Sequence, residues 1–179
     1  MSELHDTVTR GSDLSGAVFS MCDRYRYRLW RVWDNHKPRI VWVMLNPSTA
    51  DENVLDPTLR RVDDYSRRWG FGGLEVVNLF AWRATDPREL RECPVPVGPV
   101  NNSQILDAAN VAACVVAGWG ATSWRFVAER RGKVASLLLT HGHDIYCLRK
   151  SKSGHPVHPL YQPANLTMQP LVTVAGPTS

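Results

Sequence analysis

Six consecutive apolar residues, IVWVML at positions 40–45, constrain this chain most. A run that short and that continuously apolar is too brief for a helix core. It reads as a strand buried on both faces, as in a parallel or mixed sheet. The next segment is of a different kind. The run stops at Asn46-Pro47-Ser48, and residues 57–69 place Leu59, Val62, Tyr65 and Trp69 at helical spacing. Asp56 before Pro57 is a helix start, an acceptor at the N-cap with proline in the first turn. Gly70, Gly72 and Gly73 stop that helix, and residues 74–80 read as the next strand. The alternation continues. A helix is expected over 101–110, with Asn101 or Asn102 near its cap, then a central strand over 111–119. A second helix comes over 123–139, and a short strand over 144–148. Residues 86–100 carry four prolines and read as a surface loop. Upstream, residues 25–29 alternate apolar and basic, which predicts a strand with one wet, cationic face. The turn at 34–38 would fold it back as a hairpin.

Strands alternating with helices imply an α/β protein. The expected architecture is a three-layer α/β/α sandwich with a central, largely parallel sheet. The expected organisation is a flexible N-terminal arm over 1–16, one domain over 17–162 and a loosely ordered tail over 163–179. At 179 residues, with 44% hydrophobic and 21% charged residues, the chain can bury a core without staples. No apolar run has membrane-spanning length, and the polar N-terminus does not read as a secretory signal. Cys22, Cys93, Cys114 and Cys147 form no CxxC pair, so a reduced, cytoplasmic protein is expected. No cofactor motif is present, and none is expected.

The formal charge is +4, with an isoelectric point near 9.0. That permits nucleic-acid binding without requiring it. Two strips concentrate the charge. Residues 24–39 carry Arg24, Arg26, Arg28, Arg31, Lys37 and Arg39 against one acid. Residues 149–159 carry Arg149, Lys150, Lys152, His155 and His158 against none. Arg149, Lys150 and Lys152, with Arg60 and Arg61 of the first helix, are the candidate phosphate contacts. Tyr25, Tyr27 and Trp30 read as core residues on the inner side of their strand.

Ligands of open α/β sheets collect beyond the carboxyl ends of the strands. Polar residues stand there in this sequence. Asn46, Pro47, Ser48, Thr49 and Asp51 come after the second strand. Asn78 lies within the end of the third. Trp119 and Gly120 end the fourth. The loop SKSGHPVHPLY, residues 151–161, comes after the fifth.

The segments YRYRLWRVW, VMLNPSTAD, DPTLRR, WGFGGLEVVNLFAWRATDP, VGPVN and SGHPVHPLY resemble a bacterial and phage family, domain of unknown function sixteen forty-three, over about 18–162. The order of strand then Asn-Pro-Ser, strand then Asn-Leu-Phe, apolar strand then Gly, and His-Pro loop is also similar to the uracil-DNA glycosylase superfamily. That resemblance implies a base pocket. Asn46-Pro47 falls on its Asn-Pro loop and Asn78 on its base-reading Asn. His155-Pro156 or His158-Pro159 falls on its His-Pro loop. Leu45, Ser48 and Val157 depart from the superfamily pattern, which leaves the identity of the base open.

The implied activity is hydrolysis of the N-glycosidic bond of an altered base flipped from DNA. Asn46 would position the water, with Asp51, or else Asp56, as the base. Asn78 would read the base edge. His155 or His158 would stabilise negative charge on the departing base. Pro47, Ser48 and Trp119 would line the site. The expected partner is single- or double-stranded DNA carrying an altered base. A monomer is expected, with no membrane. Three other readings stand beside this one. The first is a non-catalytic nucleic-acid or nucleotide-binding module. The second is an N-glycosidase acting on free nucleotides. The third is a metal hydrolase using His141, His143, His155 and His158.

Overall fold

The computed structural model describes residues 6–48 and 56–174. Among the described residues, eight strands and three helices run in the order β1 (Thr7–Gly11), β2 (Ser15–Ser20), β3 (Arg26–Val32), β4 (Arg39–Met44), α1 (Pro57–Arg68), β5 (Gly73–Asn78), α2 (Asn101–Val111), β6 (Cys114–Ala117), α3 (Arg125–Thr140), β7 (Ile145–Cys147) and β8 (Gln169–Val172). A short 3-10 helix, Pro87–Arg91, sits in the proline-rich loop and is opened by a capping box from Asp86 and Glu89.

The strands form one mixed sheet in the order β1-β2-β3-β5-β4-β6-β7-β8. The central pairings β5–β4, β4–β6 and β6–β7 are parallel. The flanking pairings are antiparallel. The sheet is therefore mixed α/β, and the expectation of a largely parallel sheet is corrected. Only segments joined through a helix run parallel, because a tight connection can only reverse the chain. The expected hairpin of β3 with β4 is also corrected. β5 inserts between them, pairing antiparallel with β3 and parallel with β4.

β4 alternates its side chains between two cores. Ile40, Trp42 and Met44 pack with Leu59, Val62 and Tyr65 of α1. Val41 and Val43 pack with Ile105 of α2 and Val127, Val134 and Leu138 of α3. The all-apolar run 40–45 is apolar because helices cover both of its faces. Asp56 caps α1 as expected, its carboxylate accepting from the Leu59 N–H at 2.7 Å. α2 is different. Its N-cap is Val100, without a side-chain cap. Asn101 is buried instead, and its amide donates to the Asn78 and Leu79 carbonyls at 2.9 and 3.1 Å.

The ends of the chain depart from expectation. Residues 7–16, expected within a flexible arm, supply β1 and the start of β2, because their backbone pairs along the sheet edge. The tail expected to be loose carries β8 against β7 and packs Leu166 and Met168 on the α1-side core. The Tyr65 hydroxyl donates to the Pro163 carbonyl at 2.6 Å, and the Trp69 indole to Leu166 at 3.1 Å. Among the described residues no helix is long and apolar enough to cross a membrane.

Candidate functional site

β4 sends its chain into α1 on one face of the sheet. Its neighbours β5 and β6 send theirs into α2 and α3 on the other. The connections diverge there, and a crevice opens beyond the strand ends. It holds a cavity of about 220 Å³, below the roughly 300–1,000 Å³ of drug-sized clefts. Asn46 and Ser48 line it from the β4 end, Asn78 from the β5 end, and Asp56 and Thr58 from the start of α1. Arg26, Thr85 and His158 complete its polar wall. Segments from positions 26, 46, 56, 78 and 158 thus meet at one rim.

Each polar group is held in place. The Asn46 amide nitrogen donates to the Pro47 and Ala84 carbonyls at 3.1 and 2.8 Å, tying the Asn-Pro turn to the segment after β5. Asn78 is 2% exposed, and Asn101 grips its carbonyl from behind. Ser48 donates to the Asp56 carboxylate at 3.2 Å. His158 is the most informative. Its Nδ1 accepts the Leu160 N–H at 3.2 Å, which places the ring proton of the neutral imidazole on Nε2. Burial lowers its pKa, and the Asp56 charge opposes that shift. The ring is a neutral donor. Gly118 lets the loop approach the sheet this closely, since a Cβ there would lie 2.8 Å from Met44 Sδ and 3.2 Å from Pro159 Cδ.

Other expected site residues lie elsewhere. Of the two histidines, His158 lines the cavity and His155 does not. His155 sits on the turn that pairs Lys150 with Pro156, where burial and then the Arg131 charge lower its pKa. Trp119 is corrected from a base contact to a core residue, packed with Phe80 and Val127 on the opposite face. It leaves β6 on the side of α3, away from α1. Pro47 is buried and shapes the turn through its carbonyl, which accepts from Ala84 at 3.0 Å. Asp51 and Thr49 fall outside the described residues. Arg61 is not free for phosphate, because it donates to the Gln162 carbonyl and stacks over Tyr65. Arg60, Arg149, Lys150 and Lys152 are exposed, and Lys150 donates to the Leu171 carbonyl at 3.3 Å.

The four imidazoles of the metal reading do not gather. His141 and His143 precede β7 at one edge of the sheet, and His155 and His158 come after it at the other. No group of three or more His, Cys, Asp or Glu suited to a metal occurs among the described residues. The wet cationic face expected for β3 is also corrected. Arg26 is buried, and Arg28 pairs with Glu75, itself buried in the sheet. Tyr25 and Tyr27 are core residues, as expected. Sequence reasoning missed Arg26 and Thr85 as site residues. It named Asp56 as a helix cap, and the structure places that cap at the cavity.

A family model described as "Protein of unknown function (DUF1643)" matches residues 26–160. The chain belongs to the DUF1643 family. The DUF1643 match begins at Arg26 and takes in every residue named at the cavity, while β1, β2 and β8 lie outside it. No curated protein and no solved structure matches the chain.

Proposed function

We propose that this protein is a DNA base glycosylase-like hydrolase, cleaving the N-glycosidic bond of an altered base turned into the strand-end cavity. The observation that carries the reading is the meeting of Asn46, Asn78 and a tautomer-defined His158 around one base-sized cavity. Helices on both faces of a parallel sheet centre support the finer assignment to a three-layer, glycosylase-like sandwich. Four free cysteines suit a reducing, cytoplasmic setting. DNA is the proposed partner, and the protein would act as a monomer.

In this reading a water attacks the anomeric carbon. The carbon–nitrogen bond breaks, and its electron pair leaves with the base. The His158 Nε2–H donates to a carbonyl oxygen of the departing base, where negative charge develops. A donor preorganised in this way contributes about 10²–10³ in rate. The Asn46 side-chain oxygen orients the water, while its nitrogen is held by the Ala84 carbonyl. The Asp56 carboxylate faces the cationic sugar and accepts the water's proton. The base regains a proton from solvent.

The test uses oligonucleotides carrying uracil, deaminated purines or modified pyrimidines, followed by alkali. Strand breaks are expected that fall about 10²–10³-fold in His158→Ala and also in Asn46→Ala, with both variants folded by circular dichroism. Absence of breaks with every base, or breaks unchanged in both variants, overturns the reading. A second reading, a nucleic-acid- or nucleotide-binding module without catalysis, is favoured by one feature. Asp56 already accepts from Leu59 and Ser48, so its carboxylate holds structure as well as facing the cavity. Retarded DNA without breaks would support that module.

A further inference from the structure

We infer that the sheet carries a second binding site, apart from the strand-end cavity, and that its ligand is a ribonucleotide. The site is independent of the hydrolase reading.

A hollow of about 490 Å³ lies on the α2 side of the sheet, lined by strands and their connections with no helix residue among those described. That is the size of a small-ligand cleft. Side chains of β3 alternate there. Leu29 enters the α1-side core, so Arg28 and Trp30 face the other way, into the hollow. Just upstream the pairing with β2 shifts, Val18 facing Arg28 and Phe19 facing Arg26. Tyr27 is the extra residue of this bulge, and Arg26 turns back to the strand-end cavity. β4 separates the two places. Its first residue, Arg39, lines the hollow, and Asn46, just beyond its end, lines the cavity. A strand of that length holds them roughly 20 Å apart.

Three groups cross the hollow in order. Trp30 lies flat over Gly16 of β2, where a Cβ would meet Trp30 Cζ2 at 2.4 Å. Its indole donates to the Ser12 carbonyl at 3.0 Å, which fixes the ring. No other ring or guanidinium stacks on it among the described residues. Glu75 of β5 stands directly opposite Trp30. One of its carboxylate oxygens accepts from Arg28 Nε. The other oxygen, and both terminal amino groups of Arg28, have no protein partner among the described residues. One strand further, on β4, the Arg39 side chain makes no hydrogen bond or ion pair among the described residues. At the opposite end Asp13 follows the residue that holds the indole.

The layout is directional, with an acid beside the aromatic platform and an unpaired cation at the far side. From β3 across β5 to β4 is about 10 Å. A ribonucleotide presents its parts in the same order. The base stacks on Trp30, as bases do on fixed aromatic rings. The paired ribose hydroxyls meet Glu75 and Arg28, one donating to the free carboxylate oxygen and its neighbour accepting from the guanidinium. The phosphate meets Arg39. The reverse placing would set the phosphate against Asp13. A neutral sugar would leave Arg39 unanswered, and inorganic phosphate would leave Trp30 and Glu75 unanswered. A deoxynucleotide lacks the second hydroxyl.

Calorimetry on the native protein with adenosine 5′-monophosphate, adenosine, 2′-deoxyadenosine 5′-monophosphate and inorganic phosphate tests this. The ribonucleotide is expected to bind about 10-fold more tightly than adenosine or the deoxynucleotide, each of which loses hydrogen bonds to a charged group. Inorganic phosphate alone should not bind measurably. Trp30→Ala should weaken ribonucleotide binding about 10- to 100-fold. Arg39→Gln, at a half-buried position whose side chain bonds nothing, should reduce the ribonucleotide to the affinity of adenosine. His158→Ala, in the other cavity, should leave it unchanged. The inference is overturned if the deoxynucleotide binds as tightly as the ribonucleotide, if Arg39→Gln keeps full affinity, if His158→Ala abolishes binding, or if the ribonucleotide does not bind. Strand breaks at altered bases without ribonucleotide binding would remove this site and leave the hydrolase. Ribonucleotide binding without breaks would do the reverse.

Discussion

One hydrogen bond gives His158 its chemical character. Because Leu160 N–H occupies Nδ1, the neutral ring can only donate from Nε2, and burial keeps it neutral. A histidine whose folded pKa is lowered contributes stability that is present above its ordinary value of about 6.5. That contribution is lost as pH falls through the lowered folded value, since the unfolded chain takes up the proton first. His155 and His143 are shifted in the same direction by burial. Denaturant titrations from pH 7.5 to pH 5 should therefore show the wild type losing stability faster than His158→Gln. Equal slopes would mean that the imidazole titrates as if exposed. Base binding that needs neutral His158 should stay flat through pH 6.5 and weaken only below it.

At the scale of elements, α1 does two jobs at its two ends. Its N-terminus brings Asp56 and Thr58 to the cavity. Its body and C-terminal end hold the chain's tail. Tyr65, Trp69 and Arg61 all donate to carbonyls of residues 162–166. Trp42 of β4 stacks on Trp69 at 5.6 Å and donates to Ser66 at 3.0 Å, which braces the same face. Removing the Tyr65 hydroxyl leaves the Pro163 carbonyl without that partner, at a cost of about 1 kcal/mol. Tyr65→Phe should lower the melting temperature by a few degrees and speed proteolysis near residue 163. Unchanged proteolysis would show that β8 pairing alone holds the tail. Gly118 plays the matching part just after β6, where its bare backbone admits Pro159.

Across the whole molecule, the parallel centre positions the site and the antiparallel flanks widen the sheet. The loop from β7 to His158, which lines the cavity, carries Arg149 and Lys152, both exposed. If DNA is the partner, each phosphate these cations neutralise releases counterions, so affinity falls with salt. Arg149→Ala with Lys152→Ala should weaken binding evenly across sequences and reduce the salt slope by about one per cation removed from a phosphate. Nucleoside binding in the cavity should be unchanged. A slope identical to the wild type would move the nucleic-acid interface off this loop.

Short-range rules sufficed for much of this protein. The double-sided burial of β4, the Asp56–Pro57 start of α1, and the strand-end placing of Asn46 and Asn78 all come from patterns spanning a few residues. Local sterics and hydropathy act over that distance. Three matters needed the folded chain. Insertion of β5 between β3 and β4 is settled by pairings between distant segments. The choice of His158 over His155, two imidazoles in near-identical His-Pro settings, depends on which one the loop folds over Gly118. Arg26 faces the cavity because a single extra residue in a strand reverses the side from which every earlier residue points, and alternation in sequence carries no mark of it.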